Sequence, residues 1–248
     1  TLAPLSPPVA QWRATRSAGV DQLAQSISGW QQVYDQTSPG QFHGSLTELM
    51  LGQVQLFAES SSHALVQCCQ TWAGATWFGI PLHSHEAGRV DGARIETDML
   101  AVHSGMGDFQ LTTPDNFLFL GIVVHTEWLR HYAEFEHSEL SWDLLSQRVL
   151  KLPDVCLNAF RNWLGQLLLT HPPHLEWLTA HAQQHLLDEV LSGLVQILTV
   201  GEKGPRDNVS SQHARRMLRR TKDYLHAHTD RCVTVHELCE QLGSSPRA

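Results

Sequence analysis

No stretch of this 248-residue chain approaches the roughly 18 consecutive apolar residues that a membrane-spanning helix needs, so no transmembrane segment is expected. Residues 1–9 carry no basic cluster leading into an apolar one, which leaves no secretory leader to read. The first residue is Thr1 rather than Met, and a trimmed N-terminus is the expectation. Cysteines are few. Cys68, Cys69, Cys156, Cys232 and Cys239 are odd in number, two are adjacent, and none has Cys-x-x-Cys spacing. That pattern argues against a disulfide framework or a structural zinc site and predicts plain buried thiols in a reducing cytoplasm. Gly-x-Ser-x-Gly, a phosphate-binding loop and a paired-glycine dinucleotide fingerprint are all missing, so the enzyme classes that those motifs announce have no support.

Charge is also scarce, at 17% of residues against 42% hydrophobic, which suits a chain that buries a core. Its distribution is uneven. Residues 1–202 hold 8 Lys/Arg against 20 Asp/Glu, whereas residues 203–248 hold 9 against 5. An acidic body with a basic tail predicts two modules, and only the tail suits a polyanion.

Residues 1–20 are rich in Pro, Ser and Thr and read as irregular. Leu23, Ile27, Trp30 and Tyr34 share one face of a predicted helix over 21–36. A strand-rich region then runs to about residue 125. Val54, Leu56 and Ala58 alternate with Gln53, Gln55 and Phe57, and Val66, Cys68, Gln70 and Trp72 form a second alternating set. Phe117–Val124 is uninterruptedly apolar, as in a strand covered on both faces. Short strands broken by glycine and proline predict a β-sandwich or small barrel over about 40–125. From Thr126 the period becomes helical. One stripe holds Cys156, Phe160, Trp163, Leu164, Leu167 and Leu168, and a longer one runs Leu175, Leu178, Ala182, Leu186, Val190, Leu194 and Ile197. The predicted organisation is a β-rich effector-binding domain at 21–125, a helical region at 126–200 suited to dimerisation, a linker at 201–210 and a separate tail at 211–248.

In the tail, Ser210 or Ser211 can cap a basic helix carrying Arg215, Arg216, Arg219, Arg220 and Lys222. Thr234 and Glu237 have capping-box spacing ahead of an amphipathic turn of Val235, Leu238, Cys239 and Leu242, closed by Gly243. A short helix, a glycine turn and a serine that can cap the next helix is how a helix-turn-helix begins. The segment DYLHAHTDRCVTVHELCEQLGSS resembles the opening of the AraC/XylS DNA-binding domain. The body segments SISGWQQVYDQTSPGQFHGSLTELMLGQVQLF, WFGIP and DFQLTTPDNFLFLGIVV resemble the sensor half of ethanolamine-utilisation operon regulators.

The resemblance implies an α+β chain: a small cupin-like β-barrel or sandwich sensor, then helices, then the start of a helix-turn-helix domain. It implies a cytoplasmic regulator that binds a small effector such as ethanolamine, with adenosylcobalamin as co-effector, and otherwise neither cofactor nor enzymatic activity. The partners implied are DNA and RNA polymerase for the full-length protein and a second copy in a homodimer. Family members carry two helix-turn-helix units, and here the sequence stops where the first recognition helix should start, so a truncated DNA-binding domain without operator specificity is expected. Arg215, Arg216, Arg219, Arg220, Ser244 and Ser245 are the candidates for phosphate contact.

For the effector, Trp72, Trp77 and Phe78 are candidates for an aromatic wall, with Glu48 or Gln70 to orient a polar group. Each of these aromatics also suits simple core packing. His83-Ser84-His85-Glu86 supports the alternative of a metal-dependent cupin-type enzyme, since strand alternation puts His83 and His85 on one face. The glutamate follows too soon for the cupin pattern, and Gly88–Gly92 reads as a loop. His181 and His185 have chelating spacing on a helix but no evident third ligand.

Overall fold

The computed structural model describes residues 10–83, 86–105, 107–136, 138, 140–170, 179–201, 221, 224–225, 227–229 and 231–242. The chain divides into two compact units, 1–204 and 205–248.

The first unit is a cupin-like α+β fold built on two antiparallel sheets. Sheet 1 has seven strands in the order β1 (Gln11–Ser17), β3 (Gly44–Leu51), β4 (Val54–Ser61), β11 (Phe117–His125), β6 (Ala75–His83), β9 (Met99–Ser104) and β12 (Val149–Lys151). Sheet 2 has five, β2 (Gln31–Gln36), β5 (Leu65–Gln70), β10 (Phe109–Thr113), β7 (Gly88–Val90) and β8 (Ala93–Ile95). The chain passes repeatedly from one sheet to the other, as in a jelly roll. The helices are α1 (Val20–Ala24), α2 (Thr126–Phe135), α3 (Asp154–Leu169) and α4 (Ala180–Gly201), with a 3₁₀ turn at Trp142–Ser146.

Sheet 1 is covered on both faces. Strand alternation therefore sends neighbouring residues into two different cores. Leu56, Phe78, Ile80, Leu120, Ile122 and Val124 face the helices, where they meet Leu157, Leu164 and Leu168 of α3 and Val190, Leu191 and Leu194 of α4. Phe57, Trp77, Phe119 and Val123 face the other way and meet Tyr34, Leu65, Cys69, Phe109 and Leu111 of sheet 2. The Phe117–Val124 run is thus apolar because both of its sides are interior.

Several expectations need correction. Residues 11–17 are not irregular: β1 zips along β3 from Gln11↔Met50 to Ser17↔Gly44. The helix predicted over 21–36 stops at Ala24, and Gly29, at φ 75°, turns the chain into β2. Leu23, Ile27, Trp30 and Tyr34 do share one core, but they reach it from a helical turn, a loop and a strand. Gly88–Gly92 is no loop. β7 and β8 form a hairpin whose two-residue turn, Asp91-Gly92, has φ of 48° and 81°. Such mirror-image turns match strand twist and favour Asp-Gly. The region after 126 is not wholly helical, because β12 pairs with β9 and extends sheet 1. His125 holds the cap position of α2, and the Thr126 hydroxyl lies 2.8 Å from that of Thr76. Leu175 and Leu178 lie outside the described residues, and the rest of their stripe is in α4, where Val190, Leu194 and Ile197 are buried.

In the second unit, helix α5 (Val235–Leu242) starts at the expected cap, with the Glu237 N–H donating to Thr234 Oγ1 at 3.2 Å. The capping box is only half made. The Glu237 carboxylate accepts from Arg231 (2.5 and 3.0 Å) and from the Tyr224 hydroxyl (2.8 Å), charge-assisted bonds that outcompete a neutral backbone donor. These bonds hold the Glu237 carboxyl down to about 2, the Arg231 bond most of all.

One cross-strand pair sets the width of the interior. Gly79 and Gly121 oppose each other on β6 and β11. A Cβ at Gly121 would lie 2.1 Å from the Phe57 ring, and one at Gly79 would lie 2.4 Å from the Trp77 ring. Both rings are fully buried. Gly121→Ala is therefore expected to cost about 1–3 kcal/mol, the usual penalty of overpacking, as a lower urea midpoint. Adding Phe57→Leu should recover part of that loss, since the two sites share one contact.

Candidate functional site

The inner faces of the two sheets enclose a cavity of ≈ 10 Å³, about the room one water needs. Six wall residues are aromatic: Trp30, Tyr34, Phe57, Trp77, Phe109 and Phe119. Trp77 and Phe109 stack with centroids 4.7 Å apart, and Trp30 stands edge-on to Phe57, Trp77 and Phe109 at 5.6, 6.5 and 6.1 Å. The Phe57 and Trp77 rings lie over the paired glycines, in the room their missing Cβ atoms leave.

Trp30 closes one side of the cavity from the loop between α1 and β2 and is only partly buried. Its Nε1 donates to Gln55 Oε1 at 2.8 Å. Gln55 in turn donates to Glu48 at 2.5 Å and to the Ser28 carbonyl at 2.9 Å. Glu48 also pairs with Arg13 at 2.6 Å and accepts from the Ser28 amide and hydroxyl at 2.9 and 2.8 Å. The Arg13–Glu48–Gln55 chain thus holds the Trp30 loop in place.

Beside the cavity lies a second carboxylate. Glu59, 2% exposed, accepts from the Tyr34 hydroxyl at 2.9 Å and from Gln67 Nε2 at 3.3 Å. Tyr34 and Gln67 are cavity wall residues, so Glu59 sits one hydrogen bond behind the wall. Its partners are neutral. Burial raises its carboxyl to about 7, and the two hydrogen bonds, which favour the ionised form, only partly offset that. Burial likewise pushes up the Tyr34 hydroxyl and the Cys69 thiol, with the Glu59 charge adding to both. Two wall residues keep unsatisfied atoms: among the described residues, nothing accepts from Trp77 Nε1 and nothing donates to Gln32 Oε1.

A further set of contacts leads from the cavity to β12. His103 stacks on Phe109 at 4.5 Å. Its Nε2 lies 3.2 Å from the Gly107 carbonyl, and its Nδ1 lies 3.2 Å from Arg148 Nη1. Arg148 can only donate, so Nδ1 accepts and the proton sits on Nε2. The imidazole is neutral, its pKa lowered to about 4 by burial and by the Arg148 charge. Arg148 also pairs with Asp91 at 2.8 Å.

Of the sequence candidates, Trp77 lines the cavity. Phe78, the next residue, faces the helices instead. Gln70 is exposed, because the inward set of β5 is Leu65, Gln67 and Cys69 and the predicted register is off by one, which turns every side chain over. Trp72 is partly buried in the turn after β5, and Glu48 is engaged by Arg13, Ser28 and Gln55. The His83 side chain, Ser84 and His85 lie outside the described residues, as do Arg215, Arg216, Arg219, Arg220, Ser244 and Ser245. His181 and His185 are exposed on α4, and His185 lies 3.6 Å from Glu189. No group of three or more His, Cys, Asp or Glu among the described residues is placed to hold a metal ion. No described helix is long and apolar enough to cross a membrane. Glu59 and Gln67 went unread in the sequence, and Tyr34 was read only as part of a helical face. The available signal was a lone carboxylate two residues from Phe57 in an otherwise interior strand.

No family model matches the chain. Among solved structures, the AraC-like transcriptional activator CuxR superposes with a TM-score of 0.54 over 95% of this chain and 85% of that one, at 11% identity. ToxT from Vibrio cholerae gives 0.31 over 89% and 73% at 8% identity, and an oxalate decarboxylase gives 0.28 over 47% and 39% at 9% identity. The likeness to the AraC-like activator is one of fold.

The buried carboxyl makes a signed prediction. The folded state holds the Glu59 proton up to about pH 7, whereas the unfolded chain releases it near 4.5. Its contribution to stability is complete below pH 4.5 and is lost as pH rises through 7. Relative to wild type, Glu59→Gln should therefore gain stability between pH 5 and pH 8, on the order of 3 kcal/mol, in paired urea titrations.

Proposed function

We propose that the chain is the sensor part of an AraC-type transcription regulator. In this reading the barrel binds a small effector and the second unit belongs to the DNA-binding domain. The observation that carries it is the aromatic cavity between the sheets, with its unsatisfied Trp77 and Gln32 atoms, inside a barrel whose fold is similar to that of an AraC-like activator. Interior polar atoms without partners are costly in a closed core and are accounted for by an occupant.

The resemblance of the body segments directs the effector towards ethanolamine or a related amine, with adenosylcobalamin as co-effector. The full-length protein would bind its operator as a homodimer and engage RNA polymerase. An occupant that fits one arrangement of barrel and helices better than another would shift the population between them.

Thermal melting tests the sensor role. An effector at a hundred times its Kd stabilises the folded state by about 2.7 kcal/mol and should raise Tm by several degrees. A flat Tm across ethanolamine, adenosylcobalamin and a panel of related amines would count against the reading. Retardation of operator DNA by the full-length protein, altered by the same effector, would tie sensing to regulation.

A further inference from the structure

We propose that residues 25–30 are the gate of the cavity, with Trp30 as its door and the Arg13–Glu48 ion pair as its latch. The use of such an opening rests on the sensor reading above; the opening itself needs no effector to be measured.

Every wall residue except Ile27 and Trp30 stands on a β-strand. β4, β5, β6, β10 and β11 each have a strand on both sides, and β2 is zipped to β5 from Gln31↔Gln70 to Gln36↔Leu65. Moving any of those walls breaks ladder hydrogen bonds, whose groups must then find other partners. Residues 25–30, between α1 and β2, are held differently. Among the described residues, no main-chain hydrogen bond joins residues 26–29 to either sheet. The side-chain bonds that tie this segment to sheet 1 converge on Arg13, Glu48 and Gln55. Glu48 accepts from the Ser28 amide and hydroxyl, and Gln55 bridges the Ser28 carbonyl and the Trp30 indole. Arg13 donates to the Ser26 carbonyl and the Ser28 hydroxyl.

Arg13 and Glu48 stand opposite each other in the β1–β3 register, and Arg13 is the cation paired with this buried carboxylate. Without that cation, Glu48 would be a buried charge met only by neutral donors, and the segment would lose its anchor on β1. Gly29, at φ 75°, supplies a turn about which the indole can swing outward. The door stands edge-on to Phe57, Trp77 and Phe109, whereas Trp77 and Phe109 are stacked on each other and stay behind when it moves. Opening exposes Ile27 and more of the Trp30 ring, so the closed form is the populated one.

Cys69 reports the opening, because it lines the cavity and is 2% exposed. The full chain carrying Cys68→Ser, which removes the exposed neighbouring thiol, is treated with iodoacetamide in low urea, and modification of Cys69 is followed by peptide mass. Arg13→Met and Trp30→Ala should each raise the Cys69 rate about tenfold or more, with a urea dependence far below that of global unfolding, the mark of a local opening. Leu157→Ala, in the helix-facing core, should lower the urea midpoint without that acceleration. The unaltered chain gives an independent readout should a variant not fold. Its Ser28 amide should exchange hydrogen through an opening that urea barely affects, while the ladder amides of β4 and β11 follow global unfolding. Unchanged Cys69 rates in both gate variants, equal acceleration by Leu157→Ala, or Ser28 exchange only through global unfolding would overturn the proposal. A gate that opens as expected in a chain whose Tm no amine shifts would remove the sensor reading alone. A Tm shift with Cys69 rates unmoved by Arg13→Met and Trp30→Ala would remove the gate alone.

Discussion

A sheet buried on both sides has no solvent face on which to place its polar residues. Sheet 1 is in that position, with sheet 2 on one side and α2, α3 and α4 on the other. Every side chain of its central strands must therefore be apolar, be absent, or find a partner inside. Ile80, Leu120 and Ile122 satisfy the first condition, and Gly79 and Gly121 the second. Gln55, Glu48 and Glu59 satisfy the third, all on the inward side. The helix-facing side carries fewer such groups, among them Thr76, which is bonded to Ser104 and Thr126, and Gln183, which accepts from the Ala10 amide.

The two inward carboxylates show how partners decide character. Glu48 is met by an arginine, two serine donors and a glutamine, and the result is a fixed brace under the Trp30 loop. Glu59 is met only by neutral donors and is surrounded by rings, so its ionised form is poorly supported. A buried charge without an opposite charge is the less stable of these arrangements. Two glutamates in neighbouring strands of one sheet thus differ because one lies within reach of β1 and the other lies in the aromatic interior.

The barrel was legible in the sequence because alternation and continuous apolar runs are direct records of burial. Phe117–Val124 announced a doubly covered strand, and the stripes of α3 and α4 announced helices with one buried side. What escaped was set by pairing between distant segments. β1 is polar on its own and becomes a strand only against β3. Leu23, Ile27, Trp30 and Tyr34 have helical spacing by coincidence, and only the turn at Gly29 and the pairing of β2 with β5 reveal it. The one-residue slip in β5 was decisive for the cavity, since it exchanged exposed Gln70 for buried Gln67. Glu59 could be placed only once three strands were known to converge on it.

β12 joins the helical half of the unit to the barrel by main-chain hydrogen bonds, not by side-chain packing alone. Arg148, the residue before it, reaches Asp91 in the turn between β7 and β8 and the ring of His103, which lies against Phe109 in the cavity wall. A boundary drawn where the hydrophobic period changes, near residue 126, would sever this connection and expose the edge of β9. Thermodynamics gives the connection a symmetry. Whatever free energy an occupant of the cavity delivers to the β12 segment, a change imposed on that segment returns to the occupant's affinity in equal measure. Occupancy of the cavity and the state of the β12 segment would then be one equilibrium viewed from its two ends.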